Sequence, residues 1–271
     1  MPELPEIHNL AKQMDRTMRG LVIESVEVTQ PKCLNVSVKQ FGKLTVGRAV
    51  GRTTKRGKWI FAELAPGSRL LANLGMGGDL LYHAPGWELP EKYQVALYFE
   101  DGAALTFRFW WFGCVHAVRE ADLPNHKLTA SLGVDPLDKR EFTWERFRAL
   151  LDGRRGAVKP FLLNQSSIAG IGNVYIQDML WLAGLHPKRT IPSLSEEEKR
   201  RLHAAIVEHL SHAARLGGFK GERNLYGKPG RFWRFRVGYR DGEDCPACGA
   251  TIEKIKTGGT SSYICPTCQP L

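Results

Sequence analysis

The stretch Cys245-Pro246-Ala247-Cys248, followed after residues 249–264 by Cys265-Pro266-Thr267-Cys268, says most about the fold of this chain. Two Cys-x-x-Cys pairs at this spacing are typical of a four-cysteine zinc ribbon, a tetrahedral site on a β-hairpin. A closed site of this kind leaves no position for water, so the sequence predicts one structural Zn²⁺ and no catalytic metal. The two remaining cysteines, Cys33 and Cys114, are expected to be reduced thiols.

The segment before the ribbon, Gly217–Arg240, is called the basic segment here. It contains seven Lys or Arg residues against one acid, Glu222, together with six glycines. This composition predicts a mobile basic loop and linker that becomes ordered on a polyanion, and a solvated linker is the alternative. The formal net charge of the whole chain, +10, also favours a nucleic acid as the partner.

Apolar residues at helical spacing indicate a helical domain from Phe142 to about Leu216. Within it, Ile168-Ala169-Gly170-Ile171-Gly172-Asn173-Val174 predicts a glycine turn that leads into a helix. Such a turn presents backbone N–H groups that can bind a phosphate, and Asn173 could add a side-chain donor. An ordinary helix–turn–helix joint explains the same residues, so this motif is weak evidence when taken alone.

Residues from Val22 to about Val115 consist of short β-branched and aromatic runs separated by Gly, Asp and Pro. This pattern predicts an antiparallel sandwich or barrel, with strands at Leu44–Val50, Trp59–Leu64, Val95–Phe99 and Ala104–Phe109. Asp101-Gly102 is a hairpin signal between the last two strands. The cations of Lys55-Arg56-Gly57-Lys58 lie where a strand begins, and a solvated basic turn is the simpler interpretation of that motif.

Two stretches in this region are unusual. Leu74-Gly75-Met76-Gly77-Gly78 is a glycine-rich loop that would hold the apolar Met76 side chain outward, although a plain tight turn is the alternative. Phe107-Arg108-Phe109-Trp110-Trp111-Phe112-Gly113 has more aromatic residues than one alternating strand can bury on one face. We expect some of these aromatics to be exposed, where they could stack on bases or wedge between them. A place in the core is the alternative for each of them.

The chain opens with Met1-Pro2-Glu3-Leu4-Pro5-Glu6, before a helical pattern that Gly20 ends. If Met1 is removed, Pro2 carries a free secondary amine. The pKa of an α-amino group is near 7.7–8.0, so a useful fraction is unprotonated at neutral pH and can form a Schiff base. Glu3 is placed to transfer protons, and Glu6 follows one turn later on the same face. The alternative is an ordinary helix start with proline and acids in its first turn.

The bulk properties limit the class of protein. No apolar run reaches the ~18–20 residues of a membrane span, and no signal peptide opens the chain. We therefore expect a soluble intracellular protein without a membrane partner, and a monomer by default. A length of 271 residues allows one large domain or two to three small ones.

Taken in order, these motifs resemble the formamidopyrimidine-DNA glycosylase and endonuclease VIII family of DNA repair enzymes, and are closer to the first branch. The resemblance covers essentially the whole chain and includes Leu132-Gly133-x-x-Pro136-Leu137 and Tyr175. It implies an α+β multidomain fold and a location in the bacterial cytosol or nucleoid. Residues 1–130 would form an N-terminal helix on an antiparallel β-sandwich, residues 131–222 a helix–two-turn–helix domain, and residues 223–271 a basic linker and zinc finger.

The resemblance also implies a base-excision repair glycosylase and abasic-site lyase that acts on double-stranded DNA with a damaged base or abasic site. Pro2 would attack C1′ of a flipped-out nucleotide, Glu3 would act as general acid and base, and Glu6 would order the amino terminus. Strand cleavage by β,δ-elimination would follow. Lys58 would lie beside the reacting group and contact a phosphate. Other DNA contacts implied by the resemblance are Arg154, Gly170, Gly172 and Asn173. The gap left by the base would be filled by Met76, Trp110 and Phe112, and Lys220 would belong to a segment that covers the extruded base in relatives.

Three departures from the family pattern bear on substrate recognition. Trp110 stands where the family has a base-reading arginine, Asn73 where it has a phosphate-binding histidine, and Thr260 where the zinc hairpin has an arginine. An indole offers one donor and a large stacking face, so we expect weak selectivity for the base opposite the lesion. We also expect Thr260→Ala to change DNA binding little, because the charge-assisted contact is already lost. The Met76 loop favours oxidised purines as lesions, while oxidised pyrimidines and bulkier adducts stay open.

Two other functions explain part of the sequence. A non-catalytic protein that binds damaged DNA or a DNA structure could use the same scaffold, and a retained Met1 would favour it because the Pro2 nitrogen would then be an unreactive amide. The Pro2-Glu3 pair argues for the enzyme, since binding alone has no need of it. A zinc-ribbon transcription or translation factor accounts only for the last part of the chain.

Overall fold

The computed structural model describes residues 1–271. Contacts divide the chain into two compact units, the first made of Met1–Ser131 and Leu216–Phe232 and the second of Leu132–Arg215 and Trp233–Leu271. Each unit is therefore built from two separate stretches of sequence. The division expected from the motifs, at residues 130/131 and 222/223, stays a prediction.

The first unit contains helix α1 (Leu4–Thr17), helix α2 (Val38–Thr45) and two four-stranded antiparallel sheets. The strand order is β2-β3-β4-β8 in one sheet and β1-β6-β7-β5 in the other. The strands are β1 (Ile23–Val28), β2 (Ala49–Arg56), β3 (Trp59–Ala65), β4 (Ser68–Asn73), β5 (Asp79–His83), β6 (Val95–Phe99), β7 (Ala104–Arg108) and β8 (Cys114–Arg119). The expected helix on an antiparallel β-sandwich is confirmed.

Helix α1 is amphipathic and packs against β2. Ile7, Leu10 and Met14 recur at helical spacing, and all three are buried in one core with residues of both sheets. In the second sheet, β6 and β7 form the predicted hairpin: Gly102 has φ +84°, and the Asp101 carboxylate accepts from the N–H of Ala103. The hydrophobic pattern thus explains how the amino terminus is held on the sandwich.

One predicted strand, Leu44–Val50, is wrong. Residues up to Thr45 belong to helix α2, and the strand that follows begins only at Ala49. The Ser37 hydroxyl caps this helix by accepting from the N–H of Gln40 at 3.2 Å, and Phe41 and Leu44 are buried one turn apart. A short helix and a strand were merged because both contribute apolar residues to the same core.

The second unit contains four helices and one β-hairpin. The helices are α3 (Trp144–Leu151), α4 (Val158–Leu163), α5 (Ile176–Leu182) and α6 (Glu196–Arg215), and the hairpin strands are β9 (Glu253–Thr257) and β10 (Thr260–Ile264). The predicted helical domain and the hairpin between the two cysteine pairs are both confirmed. No helix of the chain is long and apolar enough to span a membrane.

Candidate active site

The amino terminus is fixed by the first turn of α1. Pro2 is buried, and Glu3 and Glu6 expose only 2% and 4% of their surfaces. The N–H of Glu3 donates to Oε2 of Glu6 at 2.7 Å, which is one bond of a capping box. The two carboxylates therefore lie at the N-terminal end of a helix, where the helix dipole stabilises negative charge.

Lys58 lies in the turn between β2 and β3, just before Trp59, as expected for a cation at a strand start. The expectation that the whole Lys55–Lys58 motif opens a strand is wrong, because Lys55 and Arg56 end β2 and the motif forms a hairpin turn. Its Nζ is 4.0 Å from Sδ of Met1, which brings its ammonium group beside the first residue. Pro2, Glu3, Glu6 and Lys58 thus lie in the same part of the first unit. This part combines an amino terminus, two buried carboxylates and a cation, which is the set that amine nucleophilic chemistry needs.

Asn73 connects the Lys58 turn to the glycine-rich loop. Its Nδ2 donates to the carbonyl of Lys58 at 3.2 Å, and its Oδ1 accepts from the N–H of Gly75 at 3.0 Å. No sequence motif indicates this connection, because the two partners are fifteen residues before and two residues after Asn73. The side chain therefore positions two elements of the site, and contact with DNA remains a prediction for it.

Four apolar side chains next to this loop point into solvent and are called the apolar patch here. They are Met76, Trp110, Trp111 and Phe112, with 49%, 72%, 64% and 82% of their surfaces exposed. By contrast, Phe107 and Phe109 of the same aromatic run are buried. The expectation that some of these aromatics are exposed is confirmed.

The backbone of the apolar patch is well defined despite the exposure of its side chains. The N–H of Met76 donates to the carbonyl of Trp111 at 2.8 Å, and the N–H of Trp110 donates to the carbonyl of Met76 at 3.1 Å. Phe112 has φ +58°, a left-handed conformation that a phenylalanine rarely adopts. Strain of this kind persists only where the surroundings enforce it, and it often marks a functional position.

Glycine is required in the loop by close approach of this backbone. A Cβ on Gly75, which has φ +53°, would lie 2.0 Å from the carbonyl oxygen of Trp111. A Cβ on Gly77 would be 3.2 Å from the indole ring of Trp110. The glycine-rich sequence is thus explained by the need to bring this loop against the aromatic run.

The first part of the basic segment belongs to the first unit and is anchored to α1. The N–H of Phe219 donates to Oε1 of Glu6 at 2.7 Å, and the N–H of Leu225 donates to Oε1 of Gln13 at 3.0 Å. Leu225 is fully buried in the core of the unit, whereas the Lys220 side chain is exposed. One buried leucine and several backbone bonds therefore hold residues 218–232 on the first unit.

The glycine turn lies in the second unit, before α5. Gly170 has φ +106° and donates its N–H to Oε1 of Gln165 at 2.8 Å, and Gln165 also donates to the carbonyl of Ile171. The carbonyl and Oδ1 of Asn173 both accept from Nε2 of Gln177, at 2.9 and 3.1 Å. The two glutamines were missed by the sequence analysis because no motif distinguishes them from other glutamines of the chain. Gly172 is buried in the same turn.

Arg154 is exposed and lines a cavity of about 520 Å³ in the second unit. Gly153, Arg155 and Asn164 also line this cavity. Two adjacent guanidinium groups give this surface a positive charge, which suits a phosphate partner. No further contact distinguishes Arg154 from the other arginines.

The four cysteines of the ribbon come together in the second unit, and their sulfur atoms all lie within 4.8 Å of one another. The Sγ atoms of Cys245 and Cys268 are 3.8 Å apart, and those of Cys248 and Cys265 are 3.4 Å apart. Four thiolates about 2.3 Å from a central ion give separations of this size, so the cluster fits one tetrahedral structural Zn²⁺. The prediction of a closed zinc site is confirmed.

The hairpin of the ribbon is tied to the helices of its own unit. The buried Lys159 of α4 donates to the carbonyl of Ser261 at 2.6 Å and to the hydroxyl of Ser262 at 2.8 Å. Oε1 of Gln177 accepts from the N–H of Tyr263 at 3.1 Å. Thr260 begins β10 and donates its hydroxyl to the carbonyl of Thr257 within the hairpin turn.

Comparison with known proteins gives a family for the whole chain. Residues 1–109 match the model of the formamidopyrimidine-DNA glycosylase N-terminal domain, residues 132–222 that of the formamidopyrimidine-DNA glycosylase H2TH domain, and residues 242–271 that of a zinc finger found in FPG and IleRS. A formamidopyrimidine-DNA glycosylase of Lactococcus lactis subsp. cremoris is 31% identical over 99% of both chains. One of Chloroflexus aurantiacus is 35% identical over 99% of this chain and 98% of its own. The chain belongs to the formamidopyrimidine-DNA glycosylase family.

Solved structures of this family have the same fold. The L. lactis formamidopyrimidine-DNA glycosylase in complex with DNA containing N7-benzyl-Fapy-dG superposes with a TM-score of 0.92, at 29% identity and complete coverage of both chains. A complex of the L. lactis enzyme with DNA containing an abasic site gives a TM-score of 0.90 at 28% identity, covering 99% of this chain and 100% of that chain. The predicted fold class and family are therefore confirmed.

The family matches cover most of the candidate residues. The N-terminal model includes Pro2, Lys58 and Met76, but it ends before Trp110 and Phe112. The H2TH model includes the glycine turn and Lys220, and the zinc-finger model includes all four cysteines. Trp110 and Trp111 thus lie just outside the stretch that matches the formamidopyrimidine-DNA glycosylase N-terminal model.

Proposed function

We propose that this member of the formamidopyrimidine-DNA glycosylase family is a base-excision repair enzyme that removes a damaged base from double-stranded DNA and cleaves the strand as an abasic-site lyase. Relatives solved with Fapy-dG, abasic-site and oxidised-pyrimidine DNA support this class of partner. Oxidised purines of the formamidopyrimidine type are the first lesions to test. A bacterial cytosolic location and a monomeric state belong to the same proposal, as does the division into catalytic, H2TH and zinc-finger regions.

The arrangement at the amino terminus is the observation that supports this function most strongly. Pro2 and Glu3 are buried at the start of α1, Glu6 fixes Glu3 by a 2.7 Å bond, and the Lys58 ammonium lies beside residue 1. After removal of Met1, the Pro2 amine would attack C1′ of the flipped nucleotide, and Glu3 would transfer the proton that the leaving base and the sugar require. A Schiff base then makes the neighbouring C–H acidic enough for β- and δ-elimination.

The remaining residues would hold the DNA. Lys58, Arg154, Asn173 and the glycine turn supply donors and positive charge for phosphates on either side of the lesion. The apolar patch would fill the gap left by the extruded base, with Met76 and Phe112 inserted and Trp110 stacked against the orphaned partner. Because stacking distinguishes bases poorly, we expect excision to depend little on the opposite base.

The first test is borohydride trapping on a duplex with a single abasic site, after intact mass has established that Pro2 is the first residue. The wild type should form a covalent adduct and cut the strand, and Pro2→Gly should weaken or abolish the adduct. Tight binding with an intact strand and no adduct would instead show a non-catalytic DNA-binding protein on this scaffold.

A further inference from the structure

The one acid of the basic segment faces the amino terminus. Oε1 of Glu222 is 3.0 Å from the amino nitrogen of Met1, and the Glu222 side chain exposes only 14% of its surface. Segment residues on either side of Glu222 are fixed in the same unit, because Phe219 donates to Glu6 and Gly230 donates to the carbonyl of Glu222. The carboxylate is therefore brought to the terminus by the fold and not by a loose chain end.

The charges around Glu222 come from several elements. Burial raises its pKa, while the ammonium group of residue 1 acts in the opposite direction, and Asp79 of β5 adds a like charge. Asp79 is itself paired with Arg108 of β7 at 2.8 Å. Lys58 is another cation close to the terminus, with its Nζ 4.0 Å from the Met1 sulfur. A mostly buried carboxylate in this setting requires a cation, and the residue-1 amine supplies it.

Removal of Met1 leaves Pro2 with the nearest amino group. Nitrogen atoms of successive residues are separated by three bonds, so the Pro2 nitrogen lies within about 7 Å of the Glu222 carboxylate before any rearrangement. Direct contact between the Pro2 ammonium and Glu222 then requires the two groups to approach by no more than about 4 Å.

We propose that Glu222 is the counter-ion of the Pro2 nitrogen, both as the resting ammonium and as the iminium ion formed with the sugar. The inference rests on the lyase chemistry proposed above. In the step concerned, the unprotonated amine forms an N–C1′ bond to the aldehyde carbon of an abasic sugar. The C1′ oxygen leaves as water with the amine proton and one further proton, and the product is a C=N bond with one positive charge. A secondary amine has no second N–H to lose, so this charge persists until elimination or hydrolysis, and a fixed carboxylate stabilises it.

The decisive readout is the ionisation of the Pro2 amine, measured by NMR on the processed full-length protein labelled with ¹⁵N-proline. A carboxylate partner favours the ammonium form, so Glu222→Gln should lower the pKa of the Pro2 amine by about one unit, which is a tenfold change in the protonation equilibrium. In Glu222→Asp the pKa of the Pro2 amine should lie between those of the wild type and Glu222→Gln. Glu91→Gln removes an exposed carboxylate from the loop between β5 and β6 and makes the same change in net charge, so it should leave the amine unchanged.

The second readout is the fraction of enzyme trapped by borohydride on abasic-site DNA, with DNA affinity measured in parallel. At about pH 9, where the free amine is mostly unprotonated, Glu222→Gln should lower the trapped fraction about tenfold while DNA affinity stays within twofold, because the lost interaction then belongs to the iminium alone. At about pH 7 the loss should be smaller, because the resting ammonium loses the same interaction. An unchanged Pro2 titration in Glu222→Gln would overturn the proposal, and so would a shift confined to Lys58. Equal losses in binding and trapping with no shift would indicate a structural role only. If the wild type forms no adduct, the lyase function fails, and with it the iminium role, while the NMR titration still decides whether Glu222 pairs with Pro2.

Discussion

Gly75 illustrates how single residues determine the apolar patch. Its φ of +53° and the 2.0 Å approach of a Cβ to the Trp111 carbonyl mean that any other residue strains the backbone and overlaps a main-chain atom. The overlap cannot be relieved by a side-chain rotation. Displacement of the loop would also break the bond from the Met76 N–H to the same carbonyl.

We therefore expect Gly75→Ala to lower the free energy of unfolding by at least about 3 kcal/mol in denaturant titrations. Gly47→Ala is the matched control, because Gly47 has φ +73° with nothing within 4 Å of its Cβ position. The control should lose only about 1 kcal/mol from the unfavourable backbone conformation. Equal losses in the two variants would mean that the contact with Trp111 is unimportant.

A second set of residues, His116 and His126, makes stability depend on pH. Nδ1 of His116 is 2.8 Å from Nε2 of His126, whose Nδ1 is 2.8 Å from the Thr129 hydroxyl. The ring of Trp59 packs against both imidazoles. Burial lowers the pKa of His116 to about 4, with a smaller contribution from His126, and burial also lowers the pKa of His126. The bond between the two rings requires one nitrogen to accept, so it is lost when both rings are protonated.

The direction of the effect follows from the depressed pKa values. In the unfolded chain these histidines bind protons near pH 6.5, so the unfolded state binds more protons between about pH 6.5 and 4. The stability due to the neutral pair is complete above pH 6.5 and decreases as the pH falls. Between pH 7 and 5, His116 alone should account for a loss of about 2 kcal/mol. Denaturant titrations should show this loss in the wild type and a correspondingly smaller one in His116→Gln; the same pH dependence in both would refute the assignment.

At the scale of elements, helix α5 holds the chain that enters the zinc ribbon. Asp178 is fully buried, and its carboxylate accepts from the N–H groups of Arg236, Val237 and Gly238 at 2.6, 3.0 and 3.0 Å. Three donors converge on two oxygen atoms. The basic segment thus ends in a fixed turn on the second unit.

Replacement of Asp178 by asparagine puts an NH₂ group where an acceptor is needed and removes the charge that strengthens these bonds. We expect Asp178→Asn to destabilise the second unit by about 2–3 kcal/mol, measured by hydrogen exchange of the amides of residues 236–238. Asp241→Asn changes an exposed carboxylate nearby in sequence and should have little effect. Protection that is unchanged in Asp178→Asn would show that the turn is held by other contacts.

Local sequence signals predicted most helices, strands and turns because the residues that give each signal lie within the element itself. The apolar spacing of α1, the Asp101-Gly102 hairpin and the cysteine spacing all act over a few residues, and the structure has all three. The prediction of a strand at Leu44–Val50 was wrong because a two-turn helix adjoins a strand there and both elements are apolar. The helix begins after Ser37, a capping residue that the sequence analysis did not identify.

The site was only partly predictable for a different reason. Pro2, Glu3 and Lys58 stand in recognisable motifs, but Glu222 meets residue 1 across more than two hundred positions of sequence. Asn73 and Gln165 likewise act through backbone groups that no motif identifies. Tertiary contacts of this kind have no sequence period, so they become visible only in the folded chain.

At the scale of the whole molecule, the division into two units differs from the order of motifs along the sequence. The three family matches follow one another along the chain. The first unit, in contrast, also contains Leu216–Phe232, which follows the helices of the second unit in the sequence. The motifs could not predict this arrangement, because they mark where chemistry is located and not which stretches share a core. The basic segment in consequence contributes to both units.

The burial of Leu225 has a consequence for the order in which the protein can mature on the ribosome. This leucine belongs to the same core as Ile7 and Leu97, yet residues 132–215 are synthesised before it. At the usual 5–20 residues per second, that interval lasts about 4–20 s. Throughout it the nascent sandwich has an unfilled position in its core and apolar surface open to chaperones. The core of the first unit can therefore be completed only after Leu216–Phe232 has been translated, and this stretch follows all four α-helices of the second unit.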